Sequence, residues 1–128
     1  MNKKIIYPTV DEIVATNKTA LEIHKAKKAD KHEVLSHQKI REALKKAKNK
    51  KGNIYSKAAK LLQELTIAHA FASGNRRTAF LATANFIYQN EKTFLSKEDK
   101  EENLEIFRRI RYRQATEEEI LRWLKEKT

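Results

Sequence analysis

The stretch His69-Ala70-Phe71-Ala72-Ser73-Gly74-Asn75-Arg76-Arg77-Thr78-Ala79 brings a histidine, a glycine, an asparagine and two arginines into one short segment. An apolar helical pattern runs into it from Tyr55 and out of it to Tyr88. The segment therefore reads as a loop between two helices. Gly74 supplies the permissive backbone and Asn75 opens the second helix. The first turn of a helix offers unpaired N–H groups and a positive dipole end, both of which attract anions. Two arginines there run against the dipole preference unless an anion is to be bound. A histidine just before the loop can take a proton from an incoming hydroxyl. Together these residues read as a phosphate cradle with a base beside it.

Outward from the loop, Ile54 to Ala68 reads as a helix with Ala58, Leu61, Leu62, Leu65 and Ala68 on one face. Asn75 to Gln89 is apolar almost all round, from Ala79 and Phe80 through Phe86, Ile87 and Tyr88. Such a helix is packed on all sides, which makes it central, and Asn90 reads as its C-cap. Before these, Thr9-Val10-Asp11-Glu12 forms a capping box opening a helix to about Lys27. Its inward set is Ile13, Val14, Ala20 and Leu21, extending toward His24. Residues 25–32 read as a helix end and loop. Ser36 caps a helix from His37 to about Lys48, in which Ile40, Ala43, Leu44 and Ala47 keep helical spacing. Asn49 to Asn53 is a loop. After the connector Thr93-Phe94-Leu95, Ser96 caps a helix running to about Tyr112. A second box, Thr116 with Glu119, opens the last helix, where Trp123 lies beside Ile120, Leu121 and Leu124. The fold class is all-α, a single domain over 1–128 of about six helices with a short N-terminal tail, 1–8.

Composition narrows the function. The chain has 128 residues and no cysteine, which excludes disulfides and thiolate metal sites and suits a reducing cytoplasm. No apolar run reads as a signal peptide or a membrane span. The net charge of +11 raises nucleic acid as a partner. The excess lysine is spread over helix faces, without a recognition helix or an aromatic–basic platform, so nucleic acid is the lesser reading. Charged residues at 35% also suit surface ion-pair networks of the heat-adapted kind. His24, His32 and His37 show no metal spacing.

The quoted stretch resembles the signature of the Fic/Doc family, His-x-Phe-x-(Asp/Glu)-(Gly/Ala)-Asn-(Gly/Lys)-Arg. His69, Phe71, Gly74, Asn75 and Arg77 match it, and Thr78-Ala79 is similar to the Doc ("death on curing") branch. The resemblance extends from about Pro8 to the end of the chain, although the glycine-rich link of Doc relatives is replaced by residues 27–33. It implies a Fic/Doc-type helical domain whose central helix carries the motif at its N-terminus. It implies transfer from ATP, with Mg²⁺, to a Ser, Thr or Tyr hydroxyl of a target protein such as a translation factor. His69 would be the catalytic base, and Gly74, Asn75, Arg76 and Arg77 would bind the nucleotide phosphates. Phe71 would plug the core.

Two positions vary. Arg76 stands where AMP-transferring members have glycine and Doc has lysine. Phe80 stands where a second arginine would follow Arg77 by three. Both imply Doc-like phosphoryl transfer rather than AMP transfer. Ser73 stands where the family has the acid that holds Mg²⁺, and a serine hydroxyl is a weak, neutral ligand for that ion. The resemblance thus also admits a catalytically impaired protein that binds a nucleotide or a partner. No inhibitory Ser/Thr-x-x-x-Glu-(Gly/Asn) motif occurs, so a separate antitoxin chain is the implied regulator. Residues 31–38 would form the docking edge for an extended target segment.

Overall fold

Six helices build the protein: α1 (Val10–Ile23), α2 (His37–Asn49), α3 (Ile54–Ala68), α4 (Asn75–Glu91), α5 (Glu101–Arg111) and α6 (Glu117–Lys127). The computed structural model describes residues 4–23, 31–95 and 101–128, residues 101–104 by their backbone alone. The expected helix end near Lys27, the inward His24 and the Ser96 cap lie outside the described residues.

The helix starts follow from local chemistry. Thr9 Oγ1 accepts the Glu12 N–H at 3.1 Å, and the Glu12 carboxylate accepts the Thr9 N–H at 3.2 Å. Thr116 and Glu119 repeat this reciprocal arrangement at α6. Ser36 accepts from Lys39 N–H and Asn53 from Ser56 N–H, opening α2 and α3. Among the described residues extended pairing is confined to one isolated antiparallel bridge, Val34 with Phe71, so the all-α expectation holds.

The core is threaded by α3, which touches α2, α4, α5 and α6. Its Ile54, Ala58, Ala59, Leu61, Leu62 and Leu65 are all buried. Helix α4 packs on α3 and α1 and carries the motif at its start. It is less uniformly enclosed than its composition suggests. Thr78, Ala79, Ala82, Thr83, Phe86, Ile87 and Asn90 are buried, whereas Asn85, Tyr88 and Gln89 face solvent. Tyr88 instead stacks on the exposed Phe94, ring centroids 4.8 Å apart. Phe80 meets Phe107 and Trp123 edge-on at 6.4 and 6.5 Å, tying α4 to α5 and α6.

Asn90 does not cap α4. The helix continues to Glu91 and ends on Lys92 in the left-handed conformation, φ 56°. Asn90 points inward, donating from Nδ2 to Ile6 O and accepting the Ile6 N–H, both at 2.8 Å. Tyr7 stacks on Phe86 at 5.6 Å. Residues 6 and 7, read as tail, are thereby fastened along the C-terminal half of α4.

Two polar devices secure the end of α2. Buried Lys57 donates from Nζ to Lys48 O at 2.9 Å and Lys50 O at 2.7 Å, which satisfies carbonyls that the end of α2 would leave orphaned. An ion-pair chain, Lys46–Glu64–Lys60–Glu117–Lys50, joins α2, α3 and α6. Lys50 and Lys60 hold the Glu117 carboxyl below its ordinary range.

Candidate active site

The loop between α3 and α4 begins with a backbone reversal. His69 caps α3 in the left-handed conformation, φ 49° and ψ 51°. A histidine adopts this region more readily than a branched residue would, yet at a cost of about 1–3 kcal/mol. The reversal sends Ala70 and Phe71 straight into the core, each 2% exposed, while His69 itself stays at the surface. Phe71 is the plug that the sequence implied.

Asn75 then closes the loop on itself. Its Oδ1 accepts the Phe71 N–H at 3.0 Å, and its Nδ2 donates to Phe71 O at 2.7 Å. Asn75 is therefore not the N-cap of α4; that position is Gly74, which has no side chain to give. The starts of α2, α3 and α6 are each capped by a side chain, whereas α4 has none. Its first-turn N–H groups are left to an external acceptor or water, the arrangement an anion site needs.

Gly74 has φ 75°, and a Cβ there would stand 2.9 Å from Leu21 Cδ2 and 3.4 Å from Asn17 Nδ2. Both the left-handed backbone and the closeness of α1 require glycine.

Helix α1 supplies the residue that the sequence reading missed. Asn17 is fully buried and donates from Nδ2 to Ser73 O at 2.9 Å and to Thr78 Oγ1 at 3.0 Å. Its Oδ1 lies 2.8 Å from His32 Nδ1, and because Oδ1 only accepts, that histidine nitrogen carries the proton. Thr78 Oγ1 in turn donates to Gly74 O at 2.7 Å. The signal was present: Ile13, Asn17, Ala20 and Leu21 share one helical face, and a polar residue in an apolar stripe needs a buried partner.

A second strap comes from residues 33–36. Leu35 N–H and Ser36 N–H both donate to Ala70 O, and Ala72 N–H donates to Glu33 O. One backbone edge of this segment is thus spent on holding the loop.

Around His69 the charge is positive. Partial burial of the ring, then the cations Arg111 and Lys39, push its pKa below the ordinary imidazole value. Neutral imidazole is the form that accepts a proton. Arg76 is exposed and Arg77 half-buried on the first turn of α4.

The site does not fit Mg²⁺ in the way the resemblance implies. Ser73 Oγ is neutral and already accepts the Lys31 N–H at 3.3 Å. Among the described residues no cluster of acidic or histidine side chains could hold a metal. Positive charge at the loop comes from Arg76, Arg77 and the start of α4.

Among curated proteins none matches the chain. The model of the Fic/DOC family matches residues 7–87, from the segment stacked on Phe86 through the body of α4, and so takes in α1, the strap and the whole loop. Since that match covers more than half of the sequence and includes the contacts that shape the cradle, the chain belongs to the Fic/DOC family.

Proposed function

We propose that the protein is a Doc-branch transferase that moves the terminal phosphate of ATP to a hydroxyl side chain of a protein target. The observation that supports this reading best is a short loop that has a histidine with a lowered pKa at one end and the uncapped start of α4 at the other. Neutral His69 takes the proton from a Ser, Thr or Tyr hydroxyl. The oxygen attacks the terminal phosphorus in line, the new P–O bond forms, and the bond to the leaving ADP breaks. The first-turn N–H groups of α4 and the guanidinium groups of Arg76 and Arg77 face the negative charge that develops. No step is assigned to a divalent cation.

Two features favour phosphate over AMP as the transferred group. Arg76 places bulk and charge where AMP-transferring members have glycine. Phe80, three residues after Arg77, is committed to the aromatic contact with Phe107 and Trp123, so no second arginine clamps the nucleotide from there. In this reading the chain is the toxin of a toxin–antitoxin pair acting in the cytoplasm, and a separate antitoxin chain restrains it. Among the described residues no helix is long and apolar enough to cross a membrane.

A second reading, nucleotide binding without transfer, is favoured by Ser73, whose hydroxyl is engaged with Lys31 and brings no charge for a metal. One experiment separates the two. The chain is incubated with labelled ATP, Mg²⁺ and cell lysate, beside His69→Ala and Ser73→Asp. A phosphate mass on a target, lost in His69→Ala, supports transfer; an AMP mass overturns the Doc-branch assignment. Modification that appears only in Ser73→Asp establishes the second reading.

A further inference from the structure

A cleft of about 200 Å³ opens immediately before His69, between α2, α3 and the end of α5, lined by Lys39, Glu42, Lys46, Glu64, Ile67 and Arg113 among others. Its charges are not equivalent. Glu64 is paired with both Lys46 and Lys60. On α5 the neighbouring Arg108 and Arg109 are paired with Glu105 and Glu119. Lys39, Arg111 and Arg113 have no carboxylate partner among the described residues. Lys39 and Arg113 stand in the wall of the cleft, and Lys39 and Arg111 are the two cations whose field reaches the His69 ring. Arg113 itself adopts the left-handed conformation, φ 58°, in the turn that leads to α6. Lys39 and Arg113, from two distant parts of the chain, thus stand without an ion-pair partner among the described residues in a cleft walled by Ala68, and the field of Lys39 and Arg111 reaches His69, the next residue.

We infer that this cleft receives an acidic side chain of the protein substrate, next to the hydroxyl that His69 serves, so that the preferred targets carry Asp or Glu beside the acceptor residue. The inference rests on the transfer reading of the same site. Like charges left unpaired at a surface repel one another, and an incoming carboxylate relieves that repulsion while orienting the segment that bears it. The wall favours a peptide over a nucleic acid. Ile67, Ala43 and Ala68 give a side-chain stem an apolar floor, which a phosphate backbone could not use.

The test measures binding directly. Short fluorescein-labelled peptides with one threonine flanked by glutamates, by glutamines or by lysines are titrated with the full chain and followed by anisotropy. The glutamate peptide is expected to bind tightest, and the doubly substituted Lys39→Glu, Arg113→Glu chain to bind it about tenfold more weakly, by loss of two charge contacts. The same variant should prefer the lysine peptide. Lys39→Gln, Arg113→Gln gives an intermediate loss and guards against a misfolded charge reversal; circular dichroism checks both. Equal binding of the three peptides, or an unchanged preference in the variants, overturns the inference. So does a single-stranded RNA oligonucleotide that displaces the glutamate peptide and binds more tightly than it. ATP binding to the wild-type chain is titrated separately. Its absence removes the transfer reading while leaving the peptide preference standing, so the two failures are told apart.

Discussion

Asn17, in the middle of α1, donates from Nδ2 to the main-chain oxygen of Ser73, 2.9 Å away and 56 residues further along the chain. This contact and the one to Thr78 hold the second half of the motif loop against a different helix from the two that the loop connects. The first half is held by Asn75 and by the strap at residues 33–36. The shape of the loop is therefore set in part from outside it, by α1 and by residues 33–36.

Asn17→Ala should destabilise the fold by roughly 1–3 kcal/mol, since it leaves buried Thr78 Oγ1 and half-buried Ser73 O without their donor. Urea unfolding measures the loss. Isothermal titration with ATP should show weaker binding in the same variant even under conditions where it is fully folded. Unchanged affinity in the folded variant would mean that Asn17 supports stability alone.

Gly74→Ala should cost about 1–3 kcal/mol through its left-handed backbone, with a further contribution from the 2.9 Å approach to Leu21 Cδ2. The contact partner is the end of a flexible side chain, so Leu21 can yield in part, but φ cannot relax without moving the start of α4. Pairing Gly74→Ala with Leu21→Ala should remove the contact penalty and leave the backbone penalty. A double-mutant cycle on unfolding free energy reads the difference.

Lys57→Met keeps most of the buried stem and deletes the ammonium that holds Lys48 O and Lys50 O. A loss of about 1–3 kcal/mol is expected. Amide exchange should quicken first in the last turn of α2, well before α4, if the role is that of a cap.

The sequence carried most of the helical frame because helix starts are encoded locally. Thr9 with Glu12, Ser36, and Thr116 with Glu119 each cap as their spacing implies. The motif residues His69, Phe71, Gly74 and Asn75 were legible as a loop for the same reason. What was hidden depends on distant partners. Asn90 reads as a helix end until Ile6 is placed beside it. Asn17 and Lys57 read as ordinary polar residues until Ser73 and the end of α2 arrive within hydrogen-bond reach. Lys39 and Arg111 lie far from His69 in sequence and meet it only through the packing of α2 and α5 on α3. For Asn17, Lys57 and Asn90 the clue was a polar residue on an otherwise apolar face, which marks that a partner exists without naming it.

The electrostatics of His69 give a pH prediction with a defined sign. Burial, Arg111 and Lys39 all lower its pKa, so in the folded protein the imidazole titrates below the ordinary value of about 6.5. The folded state then binds fewer protons than the unfolded chain between the lowered pKa and about 6.5, so the histidine's contribution to stability declines as pH falls through that window. A reaction that uses His69 as base should keep its rate down to a pH below 6.5 and lose it on a limb governed by one proton. Replacing Lys39 or Arg111 by glutamine removes a cation and should raise the His69 pKa toward the ordinary value. Two-dimensional NMR of the imidazole protons follows each titration. A His69 that titrates at or above 6.5 in the wild-type chain, or that ignores both substitutions, would show that the cations around the cleft do not act on the base.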